Sequence, residues 1–138
     1  MKKFLSFFIL ILIHCTVFAA GKTNLSDDEI SAMLVGKWRV MLSDENTKLD
    51  AVDNYLPDGR MIQEGKLTTS GQRMNIKMES TWKIKDGKLI STLVSISPKG
   101  LIPVGLTTTD TVISIDKVKF VFKDGQTGKR ETYYRVTK

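Results

Sequence analysis

The chain has 138 residues, enough for one ordinary domain that can bury a core without disulfide support. Its 21 Lys and Arg exceed its 15 Asp and Glu by a margin spread along the sequence with acids interleaved. That pattern lacks the concentrated basic tract with which proteins bind nucleic acid or anionic lipid.

Residues 1–19 read as a secretory signal peptide. Lys2 and Lys3 form its positive end, Phe4 to Ile13 its apolar run, broken only by Ser6. Val17-Phe18-Ala19 then sets small side chains at the −3 and −1 positions of a cleavage site after Ala19. Two alternatives stand beside this reading. Lipidation of Cys15 calls for a small residue ahead of the cysteine, where His14 stands, and a retained anchor calls for about 20 apolar residues, more than this run holds.

Cleavage leaves residues 20–138 as one domain of 138 less 19, or 119, residues. Loss of Lys2 and Lys3 leaves 19 cations against 15 acids, a net charge of +4. Cys15 and His14, the single cysteine and single histidine, leave with the signal. Their loss removes thiol and imidazole nucleophiles, imidazole bases, disulfides and the common His/Cys metal sites together. The expectation is an exported protein, periplasmic or extracellular, with no stable membrane span after cleavage and no cofactor.

One helix follows the signal. Ser26 and Glu29 have the spacing of a capping box, and Asp27, Asp28 and Glu29 put negative charge at the positive end of the helix dipole. Ile30, Met33 and Leu34 make one apolar stripe, and Gly36 stops a helix of about nine residues.

Beyond Gly36 the pattern is strands and tight turns. From Met74 to Lys85, Met74, Ile76, Met78, Ser80, Trp82 and Ile84 alternate with Asn75, Lys77, Glu79, Thr81, Lys83 and Lys85, which gives one buried and one solvated face. Asp86-Gly87 makes a two-residue hairpin into Lys88–Ser97, and Pro57-Asp58-Gly59 joins Asp50–Leu56 to Arg60–Thr68. Asp124-Gly125 opens the loop from Val118–Lys123 to Arg130–Thr137, and Lys37–Ser43 and Thr109–Ile115 complete eight strands. Eight antiparallel strands with one-sided alternation predict a mainly β fold, an eight-stranded barrel; a two-sheet sandwich gives the same periodicity. The long connection from Pro98 to Leu106 carries Leu101, Ile102 and Val104, and reads either as a lid over the barrel mouth, or a partner-binding loop, or as a plug.

Four segments carry a family resemblance: Gly36-x-Trp38, Tyr55-Leu56-Pro57-Asp58-Gly59-Arg60-Met61, Thr81-Trp82-Lys83-Ile84 with Asp86-Gly87-Lys88-Leu89, and Tyr134-Arg135-Val136. Together they span nearly all of the domain. With them the chain resembles the lipocalin-like branch of the calycin β-barrels, and more closely the small bacterial lipocalin-like domains of exported proteins. The resemblance implies a scaffold pair in which Arg135 packs over the ring of Trp38 at the closed end of the barrel. It also implies a binding function. Typical extracellular lipocalins are longer and carry disulfides, so a narrower barrel filled by its own side chains is the alternative.

In the predicted strand phases Tyr55, Met61, Ile76, Met78, Ser80, Trp82, Ile90, Phe120, Phe122 and Tyr134 point inward. Adaptable Met and amphipathic Tyr and Trp suit a small hydrophobic or amphipathic ligand, and they equally suit a plain core. A second class is a protein-binding module, a secreted inhibitor or an accessory subunit of an envelope complex, using the 98–106 loop. No catalytic residues are assigned: Glu64 and Glu79 are a weak carboxylate pair because Glu79 is in the outward register, no spacing selects a Ser/Lys pair, and G-x-S-x-G is absent. Asp50, Asp53 and Asp58 are too dispersed for a calcium loop, so no metal site is expected. In Lys117–Lys123 the lysines and aromatics fall on opposite faces, unlike a base-stacking platform, so no nucleic-acid partner is expected.

Overall fold

The computed structural model describes residues 23–137; the proposed signal peptide lies outside the described residues. Helix α1 spans Asp27–Leu34. The Ser26 hydroxyl accepts the Glu29 N–H at 3.2 Å, and the Glu29 carboxylate accepts the Ser26 N–H at 2.8 Å, so the two residues satisfy each other's orphan donors. Asp27 has a second task. Its two carboxylate oxygens accept the backbone N–H groups of Asp86 and Gly87 at 2.7 and 2.8 Å, which ties the helix start to a hairpin far along the chain.

Eight strands follow: β1 (Gly36–Ser43), β2 (Thr47–Tyr55), β3 (Arg60–Thr69), β4 (Gln72–Lys85), β5 (Lys88–Ser97), β6 (Thr107–Ile115), β7 (Lys119–Lys123) and β8 (Arg130–Arg135). Each pairs antiparallel with the next, and β1 pairs with β8, so the sheet is a closed barrel and not a sandwich. One turn and one close approach of two strands illustrate how the sequence sets the register. Asp86 and Gly87 both have positive φ, 53° and 70°, which matches the twist of a two-residue hairpin. Gly65 faces Ala51 across β2 and β3, and a Cβ at Gly65 would lie 2.4 Å from the Ala51 side chain, so the two strands come together where side chains are smallest.

One end of the barrel is solid. Trp38, Phe120, Ile30 and Leu34 are fully buried there, with α1 laid across the opening. The Trp38 indole N–H donates to the Leu34 carbonyl at 2.8 Å. The Arg135 guanidinium lies 4.2 Å from the Trp38 ring centre. It donates to the carbonyls of Met33 and Val35 at the helix end and, at 3.0 Å, to that of Lys117 in the β6–β7 turn. Trp82 is pinned nearby, its indole N–H shared between the carbonyls of Leu56 and Arg60 at 3.2 and 2.9 Å.

Two expected orientations are reversed. The two-residue turn pairs Lys85 with Lys88, hence Ile84 with Leu89 and Trp82 with Ser91. Partners opposite each other share a face, so Leu89, Ser91 and Leu93 point inward and Ile90 points out. In β8 Tyr133 is buried and Tyr134 is 56% exposed. Tyr134 and Arg135 are neighbours on a strand and cannot both face inward; Arg135 takes the inner face opposite Trp38.

The packing at the closed end sets the stability predictions. Trp38→Ala and Trp82→Ala should each lose about 3–5 kcal/mol in urea denaturation. Arg135→Ala should lower the melting temperature far more than Lys77→Ala, because Lys77 is exposed and its ion pair is with exposed Glu64. Equal small losses for the two would refute the structural weight given to Arg135. Gly36, with φ 126°, should also resist change: the Cβ of Gly36→Ala would sit 2.6 Å from the Arg135 guanidinium, so this variant should melt well below wild type.

Candidate functional site

The opposite end is hollow. An inner chamber of about 170 Å³ is lined by Tyr55, Met61, Met78, Ser80 and Phe122 of the expected interior set, joined by Asp53, Leu89, Ser91, Leu93, Thr108, Asp110 and Tyr133. An outer chamber of about 530 Å³ includes Ile76, Leu42, Leu49, Gln63, Leu67, Ile96, Asp124 and Gln126. Met78, Ile102, Thr108, Asp110, Phe122 and Tyr133 line both, so the two are parts of one cavity. The outer volume lies within the range of small-molecule pockets.

Trp82 and Phe120 line neither chamber and belong to the packed end with Trp38. Ile90 and Tyr134 face away from the interior, as shown above. In the 98–106 loop, Leu101 and Ile102 lie over the outer chamber and Ile102 and Leu106 border the inner one. The loop is held by backbone bonds between Gly105 and Leu93 at 2.8 Å and between Leu93 and Leu106 at 2.9 Å. Val104 points away from the cavity and is 65% exposed. The loop therefore roofs the cavity without filling it.

Besides apolar residues such as Leu89, Leu93 and Tyr133, the expected interior lacked a buried polar pair. Asp53 is 3% exposed and Gln63 5%, facing each other across β2 and β3. The Gln63 amide N–H donates to Asp53 Oδ1 at 2.6 Å. Gln63 Oε1, also buried, has no hydrogen-bond partner. In the strands Asp53 is in phase with buried Ala51 and Tyr55, and Gln63 with buried Met61. Their polarity argued for the outside, and alternation overrode it.

Burial raises the Asp53 pKa from its ordinary value of 3.8 to about 6, against the lowering effect of bonding from Gln63 and Tyr55. Asp110, at the seam of the two chambers, is raised by burial too, although it accepts the Gly125 N–H at 2.9 Å. The phenols of Tyr55 and Tyr133 are held well above their ordinary value, first by burial and then by the nearby carboxylates, Asp53 and Asp110 among them. They stay neutral. Tyr55, Phe122 and Tyr133 wall this region; Phe122 is edge-on to Tyr133 at 4.9 Å and stacks at 5.0 Å on Phe120 of the packed end.

The Glu64 and Glu79 carboxylates do not form a pair. Glu64 and Glu79 lie on the outer face and pair with different cations, Glu64 with Lys77 at 2.8 Å and Glu79 with Arg60 at 3.9 Å. Among the described residues no cluster of His, Cys, Asp and Glu could hold a metal ion, and no helix is long and apolar enough to cross a membrane.

The buried carboxylate gives a pH test. The folded protein holds the Asp53 proton more tightly than the unfolded chain, so this group's contribution to stability falls as pH rises from about 4 to about 6 and stays low above that. The displacement from 3.8 to about 6 corresponds to about 3 kcal/mol. Asp53→Asn keeps the shape and an acceptor for Gln63 and does not titrate. Its urea-denaturation stability relative to wild type should therefore grow by up to about 3 kcal/mol between pH 4 and pH 7. A pH-independent difference would show that Asp53 is not buried in its ionised form. In comparison with known proteins, no family model and no curated sequence matches the chain.

Proposed function

We propose that this chain is an exported, lipocalin-like protein without catalytic activity, whose role is to bind one small apolar or amphipathic molecule in the open-end cavity. The observation that supports this reading is the cavity itself: a chamber of about 530 Å³ walled mainly by aliphatic and aromatic side chains, continuous with a smaller chamber that carries a few convergent polar groups. The association with lipocalins rests on the closed eight-stranded barrel, the helix across its closed end and the Trp38–Arg135 stack. A second reading, a protein-binding module, is favoured by exposed Val104 at the crest of the 98–106 loop, flanked by Leu101 and Leu106.

Native mass spectrometry of the protein recovered from its own host tests both export and binding. The expected mass begins at Ala20 and carries a reproducible small-molecule adduct, identified after organic extraction. Met78→Trp, which projects a larger ring into both chambers, should remove the adduct while leaving the barrel folded. A bare mass, with no thermal shift from a panel of alkyl acids, alcohols and amines, would overturn the small-molecule reading. Loss of a co-purifying protein in Val104→Ser, with the adduct retained, would favour the second one.

A further inference from the structure

The charge of the cavity is opposite to the charge of the protein. The whole chain is basic, net +6, yet every ionisable carboxylate or amine group lining the two chambers is an acid: Asp53, Asp110 and Asp124. No Lys, Arg or His lines either chamber. The remaining orphan is also an acceptor, because Gln63 commits its amide N–H to Asp53 and leaves Oε1 buried without a partner. An unmet acceptor in a desolvated site costs free energy that a ligand donor recovers.

From this we infer that the cavity takes an amphiphile whose polar end is a hydrogen-bond-donating cation, a primary or secondary ammonium, seated at the seam between Asp53, Gln63 and Asp110 with its apolar body in the outer chamber. The inference rests on the small-molecule reading given above and specifies its ligand class. Three features of the site agree with it. The carboxylates supply charge-assisted acceptors. Tyr55, Phe122 and Tyr133 supply aromatic faces of the kind that attract ammonium groups in a dry site. A nearby cation also favours the ionised form of Asp53, whose burial otherwise opposes it. An alkyl carboxylate meets the reverse arrangement, a third negative charge beside two acids with no cation to receive it.

The test compares three ligands of one chain length, dodecylammonium, dodecanoate and dodecanol, by isothermal titration at neutral pH below their micellar concentrations. The expected result is binding of dodecylammonium at least tenfold tighter than dodecanoate, with the preference reduced severalfold in Asp53→Asn and in Asp110→Asn. The net positive charge of the protein biases nonspecific association toward the carboxylate, so the expected order cannot arise from overall charge. Asp110 is only partly buried and serves as the second variant if Asp53→Asn fails to fold. Equal or tighter binding of dodecanoate or dodecanol would overturn the ammonium assignment and leave small-molecule binding standing. Failure of all three to bind would overturn both. A preference unchanged in both Asn variants would overturn the placement at these carboxylates.

Discussion

The barrel closes through a very short ladder. Between β1 and β8 only Trp38 with Arg135 and Arg39 with Tyr134 stand opposite each other, whereas β2 and β3 share nine such pairs. Two backbone pairs are little to hold a sheet shut. A further backbone bond, from the Val136 N–H to the Lys37 carbonyl at 2.9 Å, extends this seam, and the Arg135 side chain reinforces it: it stacks on the Trp38 ring and donates to carbonyls at the end of α1 and in the β6–β7 turn. A planar guanidinium can do all of this at once, and a lysine ammonium cannot. The helix has no basic residue in its last turn, so Arg135 also provides the positive charge that its exposed carbonyls favour.

With one end fixed in this way, α1 becomes part of the barrel. The capping box starts the helix, Ile30 and Leu34 seal it onto the core, and Asp27 clamps the β4–β5 turn. A helix of eight residues is not stable alone. The apolar seal, the Asp27 clamp and the bonds from Trp38 and Arg135 to its last carbonyls explain why it holds its place as the floor of the closed end. Both tryptophans and Phe120 pack or anchor at this end, while Ser80, Ser91 and Met78 stand among Tyr55, Phe122 and Tyr133 around the hollow end.

The hollow end combines an apolar wall with a buried carboxylate and one buried acceptor, Gln63 Oε1, that no protein group satisfies. A core meant only for stability would place hydrocarbon where Asp53 and Gln63 stand, since a buried carboxylate costs stability at neutral pH. Their place beside an open volume is what the proposed binding role requires, and under that proposal the sign of the charge selects the complementary ligand.

Much of the fold was legible in local chemistry. The capping box, the alternation from Met74 to Lys85 and the Asp86-Gly87 turn each depend on residues close together in sequence, so helix, strands and turns could be read from them. The Ile90 orientation was also within reach, because a two-residue turn fixes which residues face each other. Other features depended on residues far apart in the chain. Barrel and sandwich share one periodicity, and only the β1–β8 pairing separates them. Tyr133 rather than Tyr134 faces inward because Arg135 must meet Trp38, almost 100 positions earlier. The cavity and its acidic seam bring together residues from Leu42 to Tyr133, and local hydropathy assigns Asp53 and Gln63 to the surface. Sequence alone therefore determined the elements and the faces of most strands; burial of the polar pair and the empty space beside it were decided by how the closed barrel packs.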